Sequence, residues 1–444
     1  MTQFTTPDGS RFALVVDDSM DLVHWSVATW ADGRDDPAGL EGLALTTAQA
    51  SLGGTWQTGS KDPAAERQLL AKLDEAWQRR LLEPADAAAN ESIVALDKAC
   101  AELGDVRTFA RVLAAAPVHR AEVVDRGHVA VLALTTVAEA LPTVAELLLE
   151  RREQQALRGL YRTWMSNLLA RMQRFASDRD RRMHAEVLAL LMPFSPAAAQ
   201  LEPPQNRAPR RAQALSTWAH SQHPTRTAHV LYGNFDADAT RTVLERVFSD
   251  TSLPDPPPER ELRLRPLTTQ RRSVVPGAGP RITMAWVLPP IADPFVLRAC
   301  LAFLFDGEHG VVLRKMRRRH QGLEITAMAP WPPRENGRSL LLLDLRTPEA
   351  TATIADELVA LCRRAANEEL PQGHYYRANV AMQREWLTAA ASPRELAMTL
   401  AETALVWPAL PVSPDQPRAR KGAQIRDLIA QMFASQPVIV EGRP

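Results

Sequence analysis

The chain has few cysteines and no excess of charge of either sign. Its three cysteines, Cys100, Cys300 and Cys362, lie far apart and form no Cys-x-x-Cys pair. This spacing argues against both a disulfide framework and a zinc knuckle. Lysine plus arginine and aspartate plus glutamate each total 52, so the formal net charge is zero. That balance excludes a general electrostatic attraction to nucleic acid or to an anionic membrane.

Long apolar runs and targeting signals are also missing. No apolar run reaches the roughly 18 residues that a membrane-spanning helix needs. Residues 1–18 lack the basic and then apolar regions of a signal peptide. We therefore expect a soluble, cytoplasmic protein. Lysine is scarce beside arginine, while alanine and proline are abundant, and this composition is typical of a GC-rich bacterial genome.

The length of 444 residues exceeds that of one ordinary hydrophobic core and predicts two domains. Residues 196–211 have no hydrophobic periodicity and are rich in proline and alanine, which predicts a linker. On both sides of it the pattern indicates an opening strand region, a helix, and later helices that cover a sheet. We therefore predict an N-terminal domain over 1–195 and a C-terminal domain over 212–444.

A short stretch of the first half has the frame of a metal-binding helix without the ligands. Residues 39–56 read GLEGLALTTAQASLGGTW, with glycines before and after an apolar run. Between Gly42 and Gly53 there is no His, Asp, Glu or Cys. The segment therefore predicts a helix whose glycine-bounded frame is intact and which carries no metal ligand.

Motifs in both halves occur in the order of one known superfamily. Residues 230–238, VLYGNFDAD, precede a predicted helix that ends at Phe248, and residues 7–11 and 33–44 read PDGSR and GRDDPAGLEGLA. They resemble the "vvGdfd", "lpNGlr" and "Gs.dEp.g..GlAH" segments of the pitrilysin/insulinase-type zinc peptidases, the inverzincins. The half-length branch, similar to the mitochondrial processing peptidase, fits best. The resemblance covers nearly the whole chain and rests on the order of degenerate motifs.

That resemblance implies that the zinc site has been lost. In the superfamily, "GlAHflEH" supplies an HxxEH motif, in which two histidines bind zinc and the glutamate activates a water molecule. Aligning residues 42–44 with "GlA" places Leu45 and Gln49 at the histidine positions and Ala48 at the glutamate position.

The third ligand of the superfamily is acidic and lies on a downstream helix. The resemblance puts that helix near residues 150–164, with Glu150 and Glu153 at its start and Arg158, Leu160, Tyr161 and Arg162 in its middle. A lone carboxylate does not hold a catalytic zinc. We therefore expect no metal, no cofactor and no catalytic residue in this chain.

Two arginines are candidates for substrate binding. Residues 314–320 read RKMRRRH, and the corresponding helix of the superfamily carries an arginine, with a tyrosine after the following "GL". Arg317 matches that arginine, or Arg318 if the loop is one residue longer, whereas Ile325 occupies the tyrosine position. A positioned guanidinium can stabilise developing negative charge. The alternatives are a solvated helix face and a contact with an acidic partner.

Two further features have both a functional and a structural interpretation. Residues 128–135, HVAVLALT, match the substrate-side edge strand of the superfamily, where an extended peptide can add as a further strand; an ordinary paired core strand is the alternative. His220 and His223, with His229 nearby, form a close histidine group. A surface pair is favoured there over a metal site, because the spacing specifies no further ligand.

Together these features predict two α+β domains, each a mostly antiparallel sheet covered by helices on one side, as in half of a processing-peptidase clamshell. The implied function is that of a non-catalytic subunit of a bacterial heterodimeric zinc metallopeptidase. It would pair with a homologous HxxEH-bearing chain that holds the zinc, complete the chamber and help to bind peptide. By analogy, the peptide would be the leader of a modified peptide natural product. The alternative is a structural or scaffolding subunit without a role in proteolysis.

Overall fold

The structure is a computed structural model of the full chain. It describes all residues except 32–35, 38, 84, 178, 192–206, 251–263, 292, 308, 329–338, 348–351, 369, 408–412, 414, 416 and 444, and except the side chains of 108, 174–177 and 181. Most of the predicted linker, residues 196–206, therefore lies outside the described residues.

The described chain forms the following strands and helices, numbered in chain order. The strands are β1 Thr2–Thr5, β2 Arg11–Val16, β3 Val23–Trp30, β4 Arg120–Asp125, β5 Val129–Thr136, β6 Thr227–Gly233, β7 Arg271–Val275, β8 Arg281–Leu288, β9 Glu324–Met328, β10 Ser339–Arg346 and β11 Val438–Gly442. The helices are α1 Leu43–Ala50, α2 Pro63–Leu82, α3 Ala87–Leu103, α4 Thr108–Ala115, α5 Leu141–Glu153, α6 Leu160–Ser177, α7 Arg179–Leu191, α8 Arg211–Ser221, α9 Ala237–Val247, α10 Pro294–Phe305, α11 Val311–Arg319, α12 Ala352–Asn367, α13 Gln372–Ala390, α14 Pro393–Val406 and α15 Gly422–Met432.

The chain divides into two compact units that do not follow the predicted boundary at residues 196–211. The first unit comprises Met1–Arg171, Pro204–Arg260 and Ser392–Pro414, and the second comprises Met172–Pro203, Glu261–Ala391 and Asp415–Pro444. The difference arises because β6 pairs with β2 and β3 of the first sheet. Helix α14 packs against the same sheet, so parts of the predicted C-terminal domain complete the first unit.

The first sheet has the strand order β1-β2-β6-β3-β5-β4. All pairs are antiparallel except β2 with β6. Side chains alternate across a strand, and Trp25 and Val27 of β3 pack with α5 and α9 in one core. His24, on the opposite face, lies near Arg394 of α14, and burial together with that cation lowers its pKa. Helices therefore cover both faces of this sheet, where one covered face was expected.

The second sheet has the order β7-β11-β8-β10-β9, again antiparallel except for one pair, β7 with β11. Helices α10, α11, α12, α13 and α15 form the larger core on one face, around the buried Trp286. Helix α7 covers the other face, with Met183 and Val187 packed against Ala285. The predicted class, α+β with mostly antiparallel sheets, is confirmed.

Local sequence explains where several helices begin. Asp293 before α10 and Ser392 before α14 each accept a hydrogen bond from a backbone N–H of the first turn, and a proline follows each of them at the first helical position. This pairing of a polar cap with proline satisfies otherwise unbonded N–H groups and presets the backbone. Within the described residues, no helix combines the length and the apolar character needed to cross a membrane.

Candidate functional site

Helix α1, which carries the positions of the HxxEH motif, is held at its start by a buried carboxylate. Asp36 is 1% exposed. It accepts hydrogen bonds from the backbone N–H groups of Gly42 (2.7 Å), Leu43 (3.1 Å) and Ala44 (2.9 Å). Gly42 has φ 88° and no side chain to cap the helix. Asp36 therefore satisfies N–H groups that every helix leaves unbonded at its first turn.

The other end of α1 is fixed by a buried ion pair. Arg158 donates to Glu66 at 2.5 and 2.9 Å, and the two side chains are only 2% and 0% exposed. Arg158 also donates to the carbonyl oxygens of Gly53 (3.2 Å) and Thr55 (3.0 Å). A Cβ on Gly54 would lie 2.6 Å from the Arg158 Nη1, and its φ is 97°. The Gly-Gly sequence after α1 is therefore required by packing.

Between these fixed ends, the positions of the lost ligands carry apolar and amide side chains. Leu45 and Gln49 lie one turn apart and are partly exposed, while Ala48 is 4% exposed. Asn167 of α6 donates from its Nδ2 to the Gln49 Oε1 (2.9 Å) and to the Thr46 hydroxyl (3.0 Å). Gln49 therefore forms a neutral amide pair with Asn167, beside the apolar Leu45 and Ala48. Such groups can hydrogen-bond a peptide, but they have no basic group that could activate water.

Asn167 was missed by the sequence reasoning, which placed the facing helix at residues 150–164. Glu150 and Glu153 lie at the C-terminal end of α5, whereas the side-chain hydrogen bonds to α1 come from Asn167 of α6, outside the predicted range. Glu150 instead accepts hydrogen bonds from the backbone N–H and the hydroxyl of Thr58, both at 2.9 Å. Among the described residues, no group of three or more His, Cys, Asp or Glu is placed to hold a metal ion.

Beneath α1 lies a buried cation. Arg151 is 3% exposed, its Nε donates to the Ser51 hydroxyl (2.9 Å), and its guanidinium lies 4.7 Å from the Trp218 ring centre. Burial lowers the pKa of Arg151 to about 9. Ser51 is the C-cap of α1, so the cation lies at the negative end of the helix dipole, which stabilises it together with the aromatic ring.

Strand β4, rather than β5, forms the edge of the first sheet. Strand β5 pairs with β3 on one side and with β4 on the other, so the alternative interpretation of residues 128–135 as an ordinary paired strand is confirmed and the edge-strand interpretation is wrong. The Arg126 N–H donates to the Val129 carbonyl (2.9 Å) beyond the end of the ladder. By the alternation of antiparallel pairing, the backbone groups of Ala121, Val123 and Asp125 point away from β5.

The free edge of β4 lies beside the site on α1. Val123 packs in one cluster with Leu45 and Ala48, and with the buried Ala130 and Trp218. The position of the first lost histidine therefore borders the strand whose outward backbone groups could pair with an extended chain. On β4, Arg120 and Glu122 pair with each other at 2.8 Å, the kind of charged edge that limits unspecific strand pairing.

The histidines of the group formed by His220, His223 and His229 differ in their surroundings. His229 is 6% exposed, accepts a hydrogen bond from the Trp25 indole (3.3 Å) and stacks on Phe12 at 4.4 Å. Burial and, next, the nearby Arg152 lower the pKa of His229 to about 3. His223 is paired with the Thr225 hydroxyl (2.9 Å). His229 is therefore a neutral core residue.

Arg317 and Arg318 lie near the end of α11 and are exposed. Arg317 donates to the carbonyl oxygens of Leu323 (3.2 Å) and Gly307 (3.1 Å) and thereby links the segments on both sides of its helix. Ile325, at the position of the superfamily tyrosine, lies on β9 and packs against the core of the second unit.

Comparison with known proteins agrees with the fold. Residues 212–379 match the family model described as Peptidase M16 inactive domain, and no curated protein matches. A protease from Helicobacter pylori has a TM-score of 0.65 at 12% identity over 100% of this chain and 99% of its own. An M16 inactive domain from Pseudomonas fluorescens has 0.65 at 14% identity, covering 100% and 97%. The periplasmic protease PqqL from Escherichia coli has 0.65 at 13% identity, covering 100% of this chain and 46% of its own.

The predicted resemblance is confirmed at the level of the matched segment and of the fold: residues 212–379 match the M16 inactive-domain model, and the chain has the fold of M16-like peptidases. The family match covers the C-terminal part of the chain, whereas the solved structures show that the whole chain has the M16-like fold. The lack of the HxxEH motif does not depend on these comparisons. It is seen in the sequence of α1 itself, which has Leu45, Ala48 and Gln49 at the motif positions.

Proposed function

We propose that this chain is the non-catalytic subunit of a heterodimeric zinc metallopeptidase. It pairs with a homologous chain that carries HxxEH and holds the zinc, and it helps to bind the peptide. The one observation that carries the proposal is α1. Buried charged side chains fix both ends of this helix: Asp36 at its start and the Glu66–Arg158 pair after its end. The positions that correspond to HxxEH nevertheless hold no metal-binding side chain.

The buried contacts at both ends of α1 favour a function that depends on the shape of this region. A buried ion pair costs desolvation energy and is often replaceable by apolar side chains without loss of stability. The Glu66–Arg158 pair instead positions the loop of Gly53 and Thr55 through direct hydrogen bonds. We infer that the loop geometry matters for the surface beside β4.

Pairing with a second chain of the same fold is supported by relative chain lengths. This chain covers 46% of PqqL, so a single polypeptide of that protease is about twice as long as the fold described above. In this proposal a second unit pair of the same fold, supplied by the zinc-bearing partner, takes the place of the other half of such a polypeptide. The partner is bacterial and cytoplasmic in this proposal, and the peptide removed is the leader of a modified peptide.

Peptide binding is assigned to the open edge of β4. The strand packs against Leu45 through Val123, so a peptide paired with its outward N–H and C=O groups would pass a partly apolar surface. Arg317 and Arg318 are the further candidates on the second unit. Because Arg317 is bonded to two carbonyl groups of its own unit, Arg318 is the better candidate of the two for contact with substrate.

A proline at position 123 tests this assignment. Val123→Pro removes one outward N–H and leaves the ladder to β5 intact, since the bonds to β5 come from alternate residues. In the reconstituted pair we expect KM for peptide cleavage to rise about five- to tenfold with kcat nearly unchanged, as for the loss of one backbone hydrogen bond.

Val123→Thr is the matched control, because it keeps the N–H and the branched shape, and it should cleave with the KM of the unmodified pair. Thermal melts of both variants check that the fold is retained. An unchanged KM for a folded Val123→Pro variant would exclude β4 as the binding edge. If neither variant nor omission of this chain alters cleavage, the scaffolding alternative is correct.

A further inference from the structure

A cavity of about 770 Å³ opens on the second unit between the first turns of α13 and α15. It belongs to neither the α1 site nor the β4 edge, both of which lie on the first unit. The side chains and backbone that matter for its chemistry are those of Gln372, Tyr375, Tyr376, Arg420, Gly422 and Arg426.

The floor of the cavity is rigid. The Tyr375 ring stacks on Phe303, with ring centres 4.9 Å apart and planes inclined by 10°. A Cβ on Gly422 would lie 3.2 Å from that ring, so the start of α15 can approach it closely only with glycine. Asn379 accepts from the Arg420 N–H (2.6 Å) and donates to the carbonyls of Arg420 (3.0 Å) and Tyr375 (2.9 Å). These bonds connect the two segments that line the cavity.

The lining of the cavity carries positive charge. It contains two cations, Arg420 and Arg426, and no acidic residue; Asp293 pairs with Arg420 at 2.8 Å, and Asp427 follows Arg426 in the chain. Burial, followed by the charges of Arg314, Arg377 and Lys315, lowers the pKa of His374 at the rim. Neither α13 nor α15 has an acidic residue in its first turn, so both helix dipoles add to the positive potential.

The cavity also offers aromatic surface and an unused hydroxyl. Tyr376 is 71% exposed, which is unusual for so large an apolar ring. The Tyr375 Oη is buried and has no hydrogen-bond partner among the described residues. A buried polar atom without a partner costs free energy, and a ligand that accepts its hydrogen bond would remove that cost.

We propose that this cavity binds an acidic peptide segment that also carries an aromatic or aliphatic side chain. Carboxylates of the peptide lie towards Arg426, Arg420 and the helix N-termini, and the apolar side chain packs on Tyr376. A peptide fits better than a nucleic acid or a membrane, because the site is a concave cavity with aromatic walls in a chain without net charge. The proposal concerns binding by this chain alone and does not depend on a peptidase partner.

The test uses this chain and two fluorescein-labelled, end-capped peptides. One alternates Asp and Glu around a central Phe and Leu, and the other carries Asn and Gln in place of the acids. We expect the acidic peptide to bind at least about tenfold more tightly at low salt and to lose this advantage as salt rises. Tyr376→Ala and Arg426→Gln should each weaken its binding about three- to tenfold.

Leu387→Ala and Arg384→Gln are matched controls on exposed positions of the same helix, α13, outside the cavity, and should leave the affinity unchanged. The proposal is overturned if the neutral peptide binds equally well, or if the controls weaken binding as much as the cavity variants. It is also overturned if a short single-stranded oligonucleotide or anionic vesicles bind and the acidic peptide does not. Melting curves of each variant confirm that the fold is intact.

Discussion

Glu66→Gln is expected to lower the free energy of unfolding of the first unit by about 3–5 kcal/mol. The change is isosteric, so it creates no cavity, but it leaves the Arg158 guanidinium buried without its counter-charge. Both side chains are almost fully buried, at 2% and 0% exposure, and the desolvated cation cannot reach water. Chemical denaturation followed by circular dichroism measures the effect.

The control for this prediction is an exposed ion pair. Arg162 and Asp97 lie 3.4 Å apart with side chains 75% and 40% exposed, and Asp97→Asn should change stability by less than about 1 kcal/mol. A double variant, Glu66→Leu with Arg158→Met, should recover part of the stability lost in Glu66→Gln, because no buried charge remains. Equal, small effects of Glu66→Gln and Asp97→Asn would show that the pair does not hold the end of α1.

Replacing three side chains should restore zinc binding to α1. A variant with Leu45→His, Gln49→His and Asn167→Asp is expected to bind Zn²⁺ with a Kd below about 1 µM. Positions 45 and 49 are one turn apart and partly exposed. The Asn167 Nδ2 lies 2.9 Å from the Gln49 Oε1, close to the roughly 3.3 Å between ligand atoms of a tetrahedral zinc site with bonds near 2.0 Å.

Isothermal titration and metal analysis after gel filtration measure this binding. The matched control keeps Gln49 and carries only Leu45→His and Asn167→Asp, and it should bind Zn²⁺ at least about 100-fold more weakly because one nitrogen ligand is missing. If the triple variant keeps its fold and still shows no stronger binding than the control, the three side chains do not converge as described.

The fold class could be predicted from the sequence, because the motifs keep their order even where individual residues within them differ. Which strands pair with each other could not be predicted. Residues 227–233 read TAHVLYG, an apolar strand that would suit either sheet, and only the long-range pairing of β6 with β2 and β3 assigns it to the first unit. The domain boundary was misplaced for this reason.

The sequences of β4 and β5 contain enough information to predict which of the two strands forms the edge of the first sheet. Strand β5, VAVLALTT, is apolar and buried throughout, as an interior strand should be, whereas β4, RAEVVD, carries three charges. Charged residues on a short strand are typical of an edge. Asn167, in contrast, had no such signal, because no spacing rule relates a neutral amide on α6 to positions 46 and 49 of α1.

In the proposed function, catalysis requires this chain and a zinc-bearing partner together. The most direct measurement is the rate of cleavage of a fluorogenic peptide by this chain alone, by a candidate HxxEH-bearing partner alone, and by the two mixed, with the zinc content of each sample. We predict cleavage only by the mixture, one zinc per complex, and loss of cleavage when the partner's HxxEH glutamate is replaced by glutamine. Equal kcat/KM for the partner alone and for the mixture would contradict the claim, as would cleavage by this chain alone.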